Sequence, residues 1–383
     1  MEDRPTWKTG EAMAIPTSDP VVHAVTSTQG YLGYCVHARE FFCGLSRHLP
    51  VTCTQWQQNS PLHDDNDVLR DRELLARRYG SERVVSIGLS LGSAFYILED
   101  APGPRVGYTV WDTTCLPDTW AKPLTMVDRI WVPSYWARGV LGDNGVDVAR
   151  VDVMPEGVDA VVFRPDGPRI ENIANLPGFK FVNVGKFEER KATGEMIKAF
   201  DDEFAGEKDV WFVVSCYNPF EKGFDLRAAI RALNLRDPGR LLFIPPVPTH
   251  LDVAKLYRSC DAFLGASRAE GWGLCHMEAA ACGLPLVTTN YSAPAEWAAG
   301  QAYFLDYEMT EVKTPFFIRR DGDQGEWAEP DWGQFRRVMR HLVNNPDEAR
   351  WRGQEISGHV RGNYAWPVTA RKGADLIREI AAG

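Results

Sequence analysis

Short β-branched and apolar runs alternate with longer stretches of helical periodicity along most of the chain, the rhythm of parallel sheets wound by crossover helices. In the first half this spacing predicts strands over residues 21–26, 51–56, 84–89, 106–110, 129–132 and 151–154, with helical stretches between most of them. The segment MPEGVDAVVFRPDGPR, at 154–169, then concentrates Pro, Gly and Asp and marks a hinge. The rhythm restarts with strands over 179–184, 211–216, 241–245, 262–265, 285–289 and 302–305. From Asp331 onward the pattern is helical, and it ends in an amphipathic helix over 366–382. Two doubly wound α/β domains are expected, and two such sheets facing each other across a hinge enclose a ligand cleft at the carboxyl ends of their strands.

Composition narrows the function classes. The 383 residues are 44% hydrophobic and 25% charged, enough apolar surface for two cores, and the net charge of -10 gives no general reason to hold a polyanion. The eight cysteines form no CxxC pair or zinc spacing and are read as reduced thiols of a cytosolic protein. The leader MEDRPTWKTGEAMAIP lacks the apolar core of a signal peptide, and no stretch reaches the ~18 apolar residues of a membrane span. A cytoplasmic location is the expectation.

Three strand-to-helix turns carry candidate chemistry. Gly30 and Gly33 follow the first strand, where glycine lets backbone amides approach a phosphate or sugar; the GxGxxG dinucleotide spacing is absent, and a plain tight turn is the alternative. His37, one turn into the next helix, reads as a packed or surface residue. The second turn, GKFEERK, sets Lys186, Arg190 and Lys191 at a strand end beside a helix start, which suits a diphosphate; the alternative is a solvated loop whose Glu188 and Glu189 pair with the same bases. In the third, EGWGLCHMEAAACGLPLVTTN, Glu270 precedes the Gly271-Trp272-Gly273 turn, and Glu278 lies inside an otherwise apolar helix. That helix start suits a phosphate, and a carboxylate accepting two hydroxyls suits a ribose or hexose; a capping Glu270 and a surface Glu278 are the alternative.

The Glu270 and Glu278 pair, with seven residues between, in this segment resembles the signature of the retaining glycosyltransferases of family four, which have the GT-B fold. VPSYWARGVL, MPEGVDAVVFRP, GKFEERK and GEWAEPD extend the resemblance over most of residues 21–380. It implies an acceptor-side Rossmann-like domain over 1–165, a nucleotide-sugar donor domain over 166–362, and a helix over 363–383 crossing back to the first domain. It implies that Glu278 binds the nucleotide ribose, that Glu270 contacts the donor sugar at the reacting centre, and that Gly271, Trp272, Gly273 and Leu274 present amides to the diphosphate or sugar. Lys186 and Lys191 match the family's basic clasp, with Lys at the first position where the family has Arg, so the bidentate fork is lost there. Arg190 joins the donor-binding set, and Gly30 and Gly33 match the glycine-rich first loop. Many relatives place a histidine in the N-terminal domain facing the donor sugar. The comparable turn here, GYTVWDTTCLPDTW, has none, and Asp112 is the substitute, as acceptor base or hydroxyl ligand; a turn or capping acid is the alternative.

The resemblance therefore implies a retaining glycosyltransferase that uses a nucleotide diphosphate-sugar as donor, with an acceptor that the sequence leaves open among glycans, small molecules, proteins, lipids and modified bases; no separate cofactor is expected, and no metal, because Lys186, Lys191 and a helix N-terminus supply fixed positive charge at one place. A nucleotide-sugar epimerase of the same fold and a non-catalytic nucleotide-sugar-binding protein are the rivals. Asp-x-Asp spacings occur at Asp65 with Asp67 and at Asp321 with Asp323, in polar stretches read as solvated loops away from strand ends.

Overall fold

The computed structural model of the protein describes residues 15–16, 18–30, 32–56, 65–80, 83–247, 249–298, 300–314 and 321–383. Nearly all of the polar leader lies outside the described residues. The chain divides into two units, one of Met1–Gly157, Phe317–Gln324 and Asn363–Gly383 and the other of Val158–Phe316 and Gly325–Gly362.

The first unit is built on a six-stranded sheet of β1 (Val21–Thr26), β2 (Val51–Gln55), β3 (Val84–Leu89), β4 (Arg105–Tyr108), β5 (Arg129–Val132) and β6 (Val151–Val153), in the order β2-β1-β3-β4-β5-β6. Every pairing is parallel. Its strands are apolar on both faces because both are covered. On one face the 3-10 segment Gly92–Leu98 sets Phe95, Ile97 and Leu98 into a cluster with Trp111, Trp120 and Ile130. The helices Gly33–Leu45 and Trp366–Ala382 pack on each other, and they come close because Gly44 and Gly373 carry no Cβ: one at Gly44 would stand 2.9 Å from the Ala370 Cβ and one at Gly373 would stand 2.8 Å from Phe41. The order reverses between β1 and β3, so this unit's ligand-binding crevice is expected at the carboxyl ends of those strands.

The second unit repeats the plan with β7 (Phe179–Lys186), β8 (Val210–Tyr217), β9 (Leu241–Phe243), β10 (Ala262–Gly265), β11 (Leu286–Thr289) and β12 (Tyr303–Leu305), all parallel, in the order β9-β8-β7-β10-β11-β12. The helix Thr193–Phe204 places Met196, Ile197, Phe200 and Phe204 against Phe181, Phe212 and Leu264, and the helix Trp332–Asn344 adds Phe335, Met339 and Leu342 to the same core. Here the strand order reverses between β7 and β10.

Two elements differ from the sequence expectation. An antiparallel hairpin, β13 (Tyr307–Glu311) with β14 (Glu326–Pro330), follows the second sheet. Asp65 and Asp67 belong to the helix Asp65–Ala76 rather than to a loop; acids are favoured in a first helical turn, and Leu74 anchors the helix in the core. Asp321 and Asp323 do lie in an exposed loop, where the Asp323 amide donates to the Asp321 carboxylate at 3.1 Å. All eight cysteines are free thiols. Among the described residues no helix is long and apolar enough to cross a membrane.

Candidate functional site

The reversal point of the second sheet gathers most of the sequence candidates. β7 ends at Lys186, and the chain then makes one 3-10 turn, Glu189–Lys191. Ala192 closes the turn in the left-handed region at φ 51°, a conformation that costs a non-glycine residue about 1 kcal/mol, and hands the chain to the helix Thr193–Phe204. From the neighbouring β10 the chain runs through residues 266–273 into the helix Leu274–Ala281. The two loops are laced together where the Arg268 amide donates to the Arg190 carbonyl at 2.8 Å.

Lys191 Nζ donates to both Glu270 carboxylate oxygens, at 2.6 and 2.7 Å. Arg190 is buried beneath: its guanidinium donates to the Ala269 carbonyl at 2.6 Å, to Glu188 at 3.0 Å and to Glu270 at 3.4 Å. Burial alone would push the Glu270 carboxyl up, and the Lys191 ammonium and Arg190 guanidinium override it, holding the group well below the usual carboxylate range. Glu270 is therefore a fixed anion. Its backbone is bracketed by Ser292, whose hydroxyl accepts the Glu270 amide at 3.0 Å and which is itself left-handed at φ 58°. Two of the three left-handed non-glycine residues in the described chain thus flank Glu270, the placement expected of strain held at a working site.

Gly273 opens the helix Leu274–Ala281 at φ 89° with no capping side chain, so the first amides carry their partial positive charge without a side-chain acceptor. A Cβ at Gly273 would stand 3.3 Å from Pro294, 3.4 Å from His276 Nδ1 and 3.6 Å from the Glu270 Cβ, in a left-handed conformation that only glycine adopts without strain. His276 donates from Nε2 to the Gly265 carbonyl at 2.8 Å, and burial holds the ring neutral. The side chain of Glu278, buried to 9% exposure, makes no hydrogen bond or ion pair among the described residues, and burial pushes its carboxyl up to about 8. Half-buried Cys275 lies in the first turn of this helix, and burial pushes its thiol up to about 12.

The remaining candidates are distributed as follows. Lys186, half-buried, sets its ammonium 4.4 Å from the Phe220 ring centre in the turn after β8. The Lys186–Lys191 clasp therefore has one member turned onto Glu270. Arg190 faces the protein, donating to Ala269, Glu188 and Glu270. Trp272 is buried, and its carbonyl accepts from Trp297 Nε1 at 2.8 Å. In the first unit, Gly30 (φ 113°) and Gly33 flank the start of the helix Gly33–Leu45. Tyr34, which the sequence did not single out, donates to the Val110 carbonyl at 2.7 Å and accepts the Val110 amide at 3.0 Å, tying this helix to the turn that carries half-buried Asp112.

Sequence reasoning also missed Arg268. Its guanidinium reaches Glu329 at 2.5 Å, Glu195 at 2.7 Å and the Glu189 carbonyl, and lies over Trp327. It clamps hairpin, helix and clasp turn together, and its signal was a cation two residues before Glu270.

Residues 169–302 match the family model described as glycosyl transferases group 1. The chain is similar to the D-inositol 3-phosphate glycosyltransferase of Arthrobacter sp. (strain FB24), 32% identical over 240 residues that cover 61% of this chain and 51% of the relative. It is likewise similar to the D-inositol 3-phosphate glycosyltransferase of Mycobacterium tuberculosis (strain CDC 1551 / Oshkosh), 34% identical over 158 residues, 39% of this chain and 31% of the relative. The matches thus span about half or less of the length of these curated relatives. In solved structures the fold recurs in Anabaena Alr3699/HepE in complex with UDP-glucose (TM-score 0.70, 11% identity, 94% of this chain and 99% of that one). It recurs too in a sucrose-phosphate synthase (tll1590) from Thermosynechococcus elongatus (TM-score 0.64, 14% identity, 95% and 99%). The fold is GT-B, and residues 169–302, which hold Lys186, Lys191, Glu270 and Glu278, match the model of the glycosyl transferases group 1.

Proposed function

We propose that this protein is a retaining glycosyltransferase that moves a sugar from a nucleotide diphosphate-sugar to an acceptor hydroxyl. The carrying observation is Glu278, a buried carboxyl whose side chain has no partner among the described residues, on the helix that starts uncapped at Gly273. An unmet buried carboxylate is costly, and ribose hydroxyls would satisfy it. Lys186, Lys191 and the amides of Gly271, Trp272, Gly273 and Leu274 take the diphosphate, and Glu270 takes the donor sugar. In the chemical step the bond from the anomeric carbon to the diphosphate oxygen breaks as the acceptor oxygen arrives on the same face. The acceptor proton passes to the departing oxygen, and the lysines and amides stabilise the charge left on the diphosphate. The relatives' printed names make UDP-glucose the first donor to test and a hydroxylated small molecule the first acceptor. No metal or separate cofactor enters this scheme, and the protein would work in the cytoplasm. Calorimetric titration of UDP-glucose into the parent and Glu278→Ala tests the assignment. An affinity loss of about 1–3 kcal/mol in a folded variant is expected. Unchanged affinity would remove the ribose role.

A further inference from the structure

The hairpin β13–β14, whose second strand lies in the segment GEWAEPD, takes no part in the proposed reaction, and it is built against the loop that carries Glu270. Trp327 and Val312 bury Ala269, the residue before Glu270, in a small apolar cluster. The ring centres of Tyr307 and Tyr291 lie 5.2 Å apart, and Tyr291 precedes Ser292, whose hydroxyl holds the Glu270 amide. The Ala328 amide donates to the Arg268 carbonyl at 3.0 Å, so β14 is hydrogen-bonded to this loop directly.

Arg268 joins this hairpin to the clasp turn. Its guanidinium, 6% exposed, divides its donors among three elements: Glu329 of β14 at 2.5 and 3.3 Å, Glu195 in the first turn of the helix Thr193–Phe204 at 2.7 Å, and the Glu189 carbonyl of the clasp turn. Glu329 is fixed in turn by Trp332 Nε1, which donates to it at 2.6 Å. The Arg268 amide adds a second tie, to the Arg190 carbonyl at 2.8 Å. Glu189 and Arg190 immediately precede Lys191, and Arg268 stands two residues before Glu270, so both ends of the Lys191–Glu270 pair are referenced to one residue. Ion pairs withdrawn from water add little net stability, whereas a planar fork meeting several partners sets where they stand relative to one another.

We propose that Arg268, held by Glu329 and Glu195, is a positioning residue of the transfer site: it fixes the clasp turn against the Glu270 loop and so sets Lys191 and Glu270 for the diphosphate and the donor sugar. The inference rests on the donor assignment of Lys191 and Glu270. Arg268 itself touches no reacting atom and acts through the Glu189 and Arg190 carbonyls. Its buttress is the hairpin, and a misplacement of about 1 Å transmitted to such a site can cost on the order of 100-fold in rate.

The test compares the full-length parent with Arg268→Lys, which keeps the charge and loses the fork, with Glu329→Ala, which frees the hairpin from a guanidinium that Glu195 still neutralises, and with Glu308→Ala. Glu308 is exposed and stands opposite Glu329 in the hairpin register, so it controls for loss of an acid from the same hairpin. Calorimetric titration with UDP-glucose and with uridine reads the site. Arg268→Lys and Glu329→Ala should lose about fivefold or more in affinity for UDP-glucose and stay within about twofold of the parent for uridine, which a general loosening of the unit would not produce; Glu308→Ala should match the parent for both. Hydrogen exchange without ligand reads the clamp by itself: the amides of residues 189–191 and 268–270 should exchange faster in the first two variants than in the parent and Glu308→Ala. Failure of the parent to bind either ligand would count against the donor assignment, and the exchange comparison would still decide whether Arg268 holds the turn. Parental exchange at both segments in Arg268→Lys and Glu329→Ala, or equal losses for uridine and UDP-glucose, would overturn the proposal.

Discussion

Replacing Glu278 by Gln removes a pH-dependent penalty from the ligand-free protein. Burial holds the carboxyl at about 8 against an ordinary value of 4.5. Between those values the unfolded chain has released a proton that the folded chain keeps, so stability is fully present below 4.5 and is lost as pH rises through about 8. At about 1.4 kcal/mol per pH unit, the full loss is capped at about 5 kcal/mol, and relaxation around the site brings a realistic figure to a few kcal/mol. Gln keeps the volume and carries no charge, so its stability lacks this fall. Calorimetric melting of parent and Glu278→Gln from about pH 5 to 8 checks it. A unit of this size moves about 2–4 °C per kcal/mol, so the gap in melting temperature is expected to widen in favour of the variant by on the order of 10 °C. Parallel profiles across that range would refute the claim that Glu278 sits buried and unmet.

The Glu270 pair and its turn give further expectations. Lys191→Met strips the main counter-charge from a buried carboxylate and should cost about 3 kcal/mol by denaturant titration, while weakening nucleoside diphosphate binding more than nucleoside binding; equal losses for both ligands would sink the clasp assignment. Gly273→Ala forces a Cβ into a left-handed turn 3.3 Å from Pro294, so donor affinity should fall and stability drop by about 1–2 kcal/mol, with an unchanged titration counting against the turn's role. Transfer by chelator-treated protein should persist, and activity that returns only with magnesium or manganese would replace the lysine-based account of leaving-group stabilisation.

The alternation of apolar runs located all twelve strands of the two parallel sheets, because strands covered on both faces read as continuous apolar runs bounded by turn residues. The hairpin β13–β14 escaped because one strand, Tyr307–Glu311, is short and mostly exposed, with two acids among its five residues and no buried apolar run. The helix Asp65–Ala76 escaped because its acidic start looks like a loop until a helix dipole is placed behind it. At the site, residue types and spacing gave the positions, whereas pairing is a property of three dimensions. Nothing in GKFEERK distinguishes a cation that faces a ligand from Arg190, which faces inward, or from Lys191, which closes on Glu270. The pairing of Arg268 was equally out of reach, since its partners Glu195 and Glu329 are remote in sequence.

The central claim is that one nucleotide sugar docks on the second unit at Glu270, Glu278 and the two lysines. The most direct measurement is calorimetric titration of UDP-glucose, UDP-N-acetylglucosamine and GDP-mannose into the parent, Glu270→Ala and Glu278→Ala. One of them should bind the parent with a dissociation constant between about 1 μM and 1 mM. Both variants should keep the fold and lose at least about fivefold in affinity for that sugar nucleotide. Binding of the same ligand by both variants with the parent's affinity would contradict the account.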